Sequence, residues 1–313
     1  MILERSFIAS VMALIAFVAI PLVLAQTFYI HLAILIGIQT ILALSVYLML
    51  KIGQLSLAQA GFMGIGAYAS ALLTRDAGVP FGIAFLMSGA IPAVIAGAIG
   101  PLLMRTKGVH FVLLTFALGE VIVLIFVEWT SLFGGNNGIS AIPPATLFGL
   151  QLASPPNVLV FTALVLGIIL LAMHLTFSGD LGVIVEGLER NEALQSSLGV
   201  NALAFRCLLF SLSAFIAGIS GSLYAHYLTF ISPEAFGFWT TVNALILNVI
   251  GGAQFLMGPF LGALALVPLP ELFREWVDYQ RILYGVALLL LMRGLPQGVL
   301  GLILPRLGWG KGR

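Results

Sequence analysis

The sequence predicts an all-α polytopic membrane protein with about eight to ten transmembrane helices, one of them broken or re-entrant. Composition and spacing carry that prediction. Hydrophobic residues fill 61% of the 313 positions and charged residues only 8%, against about 25% charged in a soluble globular chain. Mean hydropathy is +1.15. Apolar runs of about 20 residues, enough to span a hydrocarbon core of roughly 30 Å, follow one another along almost the whole length. No stretch has the composition of a separate soluble domain, so residues 1–313 read as one transmembrane domain.

Phe7–Ala25 is the first span, with Glu4 and Arg5 ahead of it. Val23-Leu24-Ala25 resembles a signal-peptidase site, but the apolar run exceeds a signal core of about 7–15 residues, so a retained helix is expected. Ile30–Leu50 is the second span and stops at Lys51. Gly53–Ala71 follows, apolar yet built largely of Gly, Ala, Ser and Gln. Within it Ser56, Ala60 and Gly64 recur every four residues, which predicts a helix face with almost no side-chain bulk, and Gly61 adds to it. Such ridges let backbones approach closely in lipid, whereas Gln54 and Gln59 carry amides that lipid does not satisfy. A tightly packed structural helix and the wall of a substrate path both fit, and both place this segment at the bundle centre.

Phe81–Met104 carries Gly89, Pro92, Gly97, Gly100 and Pro101 and ends at Arg105-Thr-Lys107. Val109–Glu128 has Glu120 at its middle, where a carboxylate is costly unless protonated or paired. An ion-coupling site and a structural hydrogen bond to a neighbouring helix are both open. The external loop is expected at Trp129–Asn157, where Gly134, Gly135, Asn136, Asn137 and Gly138 precede Pro143-Pro144 and Pro155-Pro156. Val158–Phe177 returns across.

Ser178–Arg206 is the most polar stretch, with Glu186, Glu189, Arg190 and Glu192 close together. Asn191 is a candidate cap and Gly199 a candidate stop for a short helix. Ala193, Leu194 and Leu198 form an apolar strip between them. A helix of about eight residues is roughly 12 Å long, which suits a docking knob; composition alone favours a solvated connector between two spans. Cys207–Tyr227 carries a second small-residue face through Ser211, Ser213, Gly218, Gly221 and Ser222. Thr240–Ile250 and Phe255–Pro268, split by Gly251-Gly-Ala-Gln254, are each too short for a full span, which predicts the broken or re-entrant segment. Arg281–Met292 and Leu295–Leu304 finish the chain.

With the N-terminus inside and these spans alternating, ten of the thirteen Lys and Arg fall inside, leaving Arg75, Arg274 and Arg281 outside. Both termini and Ser178–Arg206 are then cytoplasmic. Net charge is +1, so no nucleic-acid partner is implied. Cys207 is the single cysteine and forms no internal disulfide, and His31, His110, His174 and His226 lack ligand spacing. No phosphate loop of the G-x-x-x-x-G-K-[ST] type occurs, so this chain is not expected to hydrolyse ATP. No Ser/His/Asp array or metal cluster of recognisable spacing is present in the sequence.

Residue strings extend the reading. Gly53-Gln-Leu-Ser-Leu-Ala-Gln-Ala-Gly-Phe-Met-Gly-Ile-Gly-Ala-Tyr68 resembles the signature of branched-chain amino acid ABC transporter permeases of the M type. Leu114-Thr-Phe-Ala-Leu-Gly-Glu120, Gly134-Gly-Asn-Asn-Gly138, Asn191–Asn201 with Ser213–Ala225, and Pro296-Gln-Gly298 with Gly301-Leu302 match further family strings in order. The resemblance implies an ABC-importer permease fold, a homologous second permease, two cytoplasmic ATPases and a periplasmic or lipid-anchored substrate-binding protein. ATP and magnesium would belong to the ATPases, with no cofactor or metal in this chain and no enzymatic activity of its own. It implies that Asn191–Asn201 is the coupling helix that docks in a groove of an ATPase, with Glu189, Arg190, Asn191, Glu192, Ala193, Leu194, Leu198 and Gly199 as the coupling residues, and it moves Glu120 from ion coupling to a structural or gating role. Related permeases for urea, short amides or sugars, and an ion-coupled carrier working alone, are the alternatives. Gln254 stands where the family usually has glycine, which predicts an added amide or filled space in the broken helix.

Overall fold

The computed structural model describes residues 2–24, 26–147, 150–152, 154–190, 199–272, 279–294 and 298. Helices α1 (Ile2–Leu24), α2 (Thr27–Leu50), α3 (Gln59–Arg75), α4 (Phe81–Leu103) and α5 (Val109–Glu128) come first. A single turn, α6 (Thr130–Phe133), and a minimal hairpin pairing Thr146–Leu147 with Leu150–Gln151 lie before α7 (Pro155–Ser178) and α8 (Asp180–Arg190). Then come α9 (Ala202–Leu228), α10 (Phe238–Gly251), α11 (Gly258–Leu266), the turn α12 (Leu269–Leu272) and α13 (Gln280–Gly294). Among the described residues, α2, α4, α5, α7 and α9 are long and apolar enough to cross a membrane. The all-α polytopic prediction holds. The spans match the apolar runs to within a few residues, because run length in lipid is itself the structural requirement.

The centre is α2 and α3, as expected for the small-residue stretch. From Gln59 to Ala71 only Ile65 and Ala69 are partly exposed. α9 lies along α2, α3 and α4 and packs on all of them. Close approach holds this contact, because apolar burial alone separates helices no better than lipid does. A Cβ on Gly221 would stand 1.9 Å from the Met63 carbonyl oxygen of α3, so only glycine fits. On α4, Pro92 has no N–H to offer the Ser88 carbonyl four residues back. Gly218 of α9 fills that notch, where a Cβ would lie 2.0 Å from Ser88 O. Hydroxyls and amides add interhelical bonds: Ser220 Oγ donates to Ile38 O at 3.1 Å, and Asn248 Nδ2 donates to Ala43 O at 2.9 Å.

The broken segment predicted around Gly251 is an antiparallel hairpin of two short helices. α10 has 14 residues and α11 has 9, or about 21 and 14 Å at 1.5 Å per residue, both short of a full span. They touch through glycine: a Cβ on Gly251 would be 1.7 Å from Gly258 O, and one on Gly262 would be 1.9 Å from Leu247 O. Gly298 of the closing string abuts the same hairpin, its notional Cβ 2.5 Å from Gly252 N. The remaining closing-string residues Pro296, Gln297, Gly301 and Leu302 lie outside the described residues, as do Arg274 and, apart from Gly298, the expected last span Leu295–Leu304.

One expectation is corrected. Gly53–Ala71 is not a single helix: α3 starts only at Gln59, and Ser56 precedes it in irregular chain. Gly53 at φ +69° turns the backbone out of α2, and Gln54 N–H returns to Met49 O at 3.1 Å. The spacing of four small residues is met instead by a buried connector entering a shortened helix.

Candidate functional site

Residues 54–58 are non-helical chain among long apolar helices, a conformation tolerated at membrane depth only where protein satisfies its polar groups. Here protein does so. Leu57 N–H donates to Thr115 Oγ1 of α5 at 3.1 Å, and Thr115 in turn donates back to Phe111 O. Thr115 lies six residues into α5, about 9 Å from its start, so the connector reaches well inside the bundle. Ala58 N–H lies 3.4 Å from Ser56 Oγ, and Ala60 N–H donates to Thr241 Oγ1 of α10 at 3.0 Å. The N–H groups of Leu57, Ala58 and Ala60, which no earlier helical turn could satisfy, are thereby shared among α5, α10 and the connector itself. Ser56, Gln59 and Ala60 are buried, and Gln54 is 4% exposed.

Gln59 Nε2 donates to Ser213 Oγ of α9 at 3.0 Å, and Ser213 donates to Ser45 O of α2 at 2.7 Å. The Gln59 amide therefore ties α3 to α9 and, through Ser213, to α2, while Oε1 has no partner. Gly61 and Gly64 lie at helix contacts. A Cβ on Gly61 would be 3.2 Å from Ile122 Cδ1 and 3.3 Å from Gly119 Cα of α5. One on Gly64 would be 2.7 Å from Phe126 Cε2 and 3.0 Å from the Phe236 side chain. Tyr68, one turn on, stacks among Phe126, Phe133 and Phe236.

Glu120 is not gathered into this centre. The buried stripe of α5 is Phe111, Thr115, Gly119, Ile122 and Phe126; Glu120 projects from the opposite side and is exposed. Gln254 sits at the α10–α11 tip with its side chain exposed. The expected space-filling role therefore fails; what the tip offers is its backbone, since Lys51 Nζ donates to Gln254 O at 3.1 Å.

The Gly/Asn loop is anchored, not loose. Gly134, Gly135 and Gly138 all have positive φ, and a Cβ on Gly138 would be 2.0 Å from Ile231 O. Ile139 and Ile231 exchange backbone hydrogen bonds of 2.8 and 3.0 Å. Asn136 and Asn137 face outward. At the same end of α3, the Arg75 guanidinium donates to Asp76 at 2.6 Å and, through that hydrogen bond, lowers the carboxyl below its ordinary range.

In the polar stretch, Glu189 and Arg190 end α8, a helix that buries Val185 and Leu188 and exposes Leu181 and Val183. Asn191, Glu192, Ala193, Leu194 and Leu198 lie outside the described residues. Gly199 has φ +89° with open space around it, and Asn201 caps α9 through Oδ1 on Ala204 N–H at 3.1 Å.

Sequence reasoning missed the polar anchors Thr115, Thr241 and Asn248, whose signal was a lone hydroxyl or amide inside an apolar run. It also missed a network around His226. Pro143 O is an acceptor only, so His226 Nδ1 donates to it at 2.8 Å; Nε2 then accepts from Ser70 Oγ at 2.8 Å, and Ser70 meets Ser222 Oγ at 2.7 Å. His226 is a packed residue that ties the loop to α3 and α9. Among the described residues no group of His, Cys, Asp or Glu could hold a metal ion.

Residues 28–292 match the model of the branched-chain amino acid transport system permease component family. The chain belongs to that family. It is 31% identical over 278 residues to the high-affinity branched-chain amino acid transport system permease proteins LivM of Salmonella typhimurium and of Escherichia coli. Those alignments cover 82% of this chain and 65% of each relative, so it spans just under two thirds of their length. No solved structure matches the chain.

Proposed function

We propose that this chain is the transmembrane permease subunit of an ATP-driven importer of branched-chain, hydrophobic amino acids in a bacterial or archaeal cytoplasmic membrane. The family match from residue 28 to 292, carried on a helical bundle with a glycine-welded broken segment, is the observation that supports this reading. The chain would transport without being an enzyme. ATP and magnesium would be held by two cytoplasmic ATPases, since no phosphate loop occurs in the sequence.

The ends of α2 and α4 at Lys51, Arg105 and Lys107 would face the cytoplasm, together with both termini. Glu189, Arg190, Asn191, Glu192, Ala193, Leu194, Leu198 and Gly199 would dock in an ATPase groove and transmit its closure to the bundle. On the other side, the anchored Gly134–Gly138 loop would receive a loaded binding protein. Substrate would pass between this chain and a homologous second permease by alternating access.

The test is uptake of labelled leucine by vesicles holding the whole complex with its binding protein. Isoleucine and valine should compete, and urea, short amides and sugars should not. Transport by the purified chain alone under an ion gradient, without ATP, would overturn the reading. Gly199→Pro imposes φ near −65° where the chain has +89°; both ATPases should then co-purify poorly, and normal recovery would refute the docking assignment.

A further inference from the structure

The lateral faces of the bundle are not alike. Away from the helix ends, the exposed side chains of α4, α7 and α9 are all apolar, as with Val94, Leu164 and Leu208. Such faces suit lipid. The face shared by α5 and α10 differs: it exposes Glu120 and Asn243 together with Phe116 and Trp239, the last 75% exposed.

These residues form one surface. α5 and α10 both direct their buried sides at the start of α3, through Thr115 to Leu57 and Thr241 to Ala60. Phe116 and Phe238 join the two helices edge to face, with ring centroids 5.2 Å apart. What they expose therefore points away from α3 on the same side. Glu120 lies one helical turn beyond Phe116, and Asn243 lies on the Trp239 stripe of the antiparallel helix, four residues on. Along the axes this places a carboxylate, then aromatic rings, then an amide over about 13 Å. Glu120 is about 16 and 12 Å from the two ends of α5, so an ionised carboxylate here faces hydrocarbon only at high cost.

We propose that this α5–α10 face walls the substrate path against the second permease, with Glu120 as the counter-charge for the ammonium group of an amino-acid substrate. This rests on the importer reading above. A branched-chain amino acid carries an ammonium, a carboxylate and an apolar side chain. Glu120 answers the first, the aromatic and aliphatic neighbours answer the last, and the Asn243 amide has N–H groups for the carboxylate. The chemistry matches the face and not the purely apolar sides.

The experiment uses the complete transporter in vesicles, in a Cys207→Ser background that removes this chain's single native thiol. Single cysteines at Ala117, exposed about one turn before Glu120 on α5, and at Asn243, with Val94 and Leu164 as lipid-facing references, are reacted with a charged, water-soluble methanethiosulfonate. Reaction at Ala117→Cys and Asn243→Cys should be at least tenfold faster than at the references. Equal rates would overturn the wall assignment.

Glu120→Gln should cut leucine uptake at least tenfold, with both permeases still co-purifying and Glu120→Asp restoring part of it. Unchanged uptake in Glu120→Gln would overturn the counter-charge. If the unaltered complex takes up no leucine, the importer reading itself fails, while the labelling contrast still judges the face independently.

Discussion

Gly66 of α3 and Gly218 of α9 meet so closely that a Cβ on Gly66 would lie 2.3 Å from the Gly218 carbonyl oxygen. Neighbouring contacts are equally tight, with Gly221 on Met63 and Gly218 on Ser88. The obstacle at each is backbone, which does not rotate away as a side chain does. Gly66→Ala should destabilise the purified protein by about 1–3 kcal/mol or more through overpacking. Gly285→Ala, with nothing within 4 Å of its notional Cβ, should be neutral or slightly stabilising, since alanine is the better helix former. Thermal unfolding in detergent distinguishes the two; equal behaviour would refute the close contact.

The Gln59–Ser213 bond predicts an asymmetry between two deletions. Ser213→Ala strands the buried Gln59 amide without its acceptor, at about 1–3 kcal/mol. Gln59→Leu removes the amide altogether, including an Oε1 that has no partner, and should cost less. The double variant should fall below Gln59→Leu by only about 1 kcal/mol, the remaining bond from Ser213 Oγ to Ser45 O. A larger loss in Gln59→Leu than in Ser213→Ala would place the amide in some other role.

Gly64→Leu should deplete folded protein along with transport. Its first carbon already encroaches on Phe126 and Phe236, so the whole side chain has no room. Phe126→Leu should partly restore the yield of Gly64→Leu. A well-folded, fully active Gly64→Leu would contradict the packing seen around Tyr68.

His226 predicts where the 134–143 loop loosens first. His226→Ala removes the bond to Pro143 O and unseats Ser70. At about 1 kcal/mol for each net hydrogen bond, amide exchange at Ile139 and Ile142 should quicken about tenfold or more. Exchange in α2 should not change. An unaltered loop would show that the Ile139–Ile231 pairing holds it alone.

Much of this was readable before any tertiary structure. The spans, the broken hairpin at Gly251-Gly-Ala-Gln254 and the loop at Gly134–Gly138 follow from run length, glycine and proline, which act on a few consecutive residues. The family strings were legible for the same reason. The site was legible only in part: Gln59 and Gly64 stand at the centre as expected, but Ser56 is not on the helix, Glu120 faces outward and Gln254 lies exposed at a tip.

Taken alone, the sequence determined the membrane class, the order of its helices and the places where they break, because those depend on local hydropathy and backbone freedom. Only the tertiary structure decided where α3 begins, what Gln59 binds and which lateral face stays polar. A repeat of small residues every four positions suits a helix, but Thr115 and Thr241, far away in sequence, supply hydrogen bonds that let an irregular connector replace its first turns. Whether a side chain braces or faces outward depends on what another helix sets opposite it, and no local pattern encodes that.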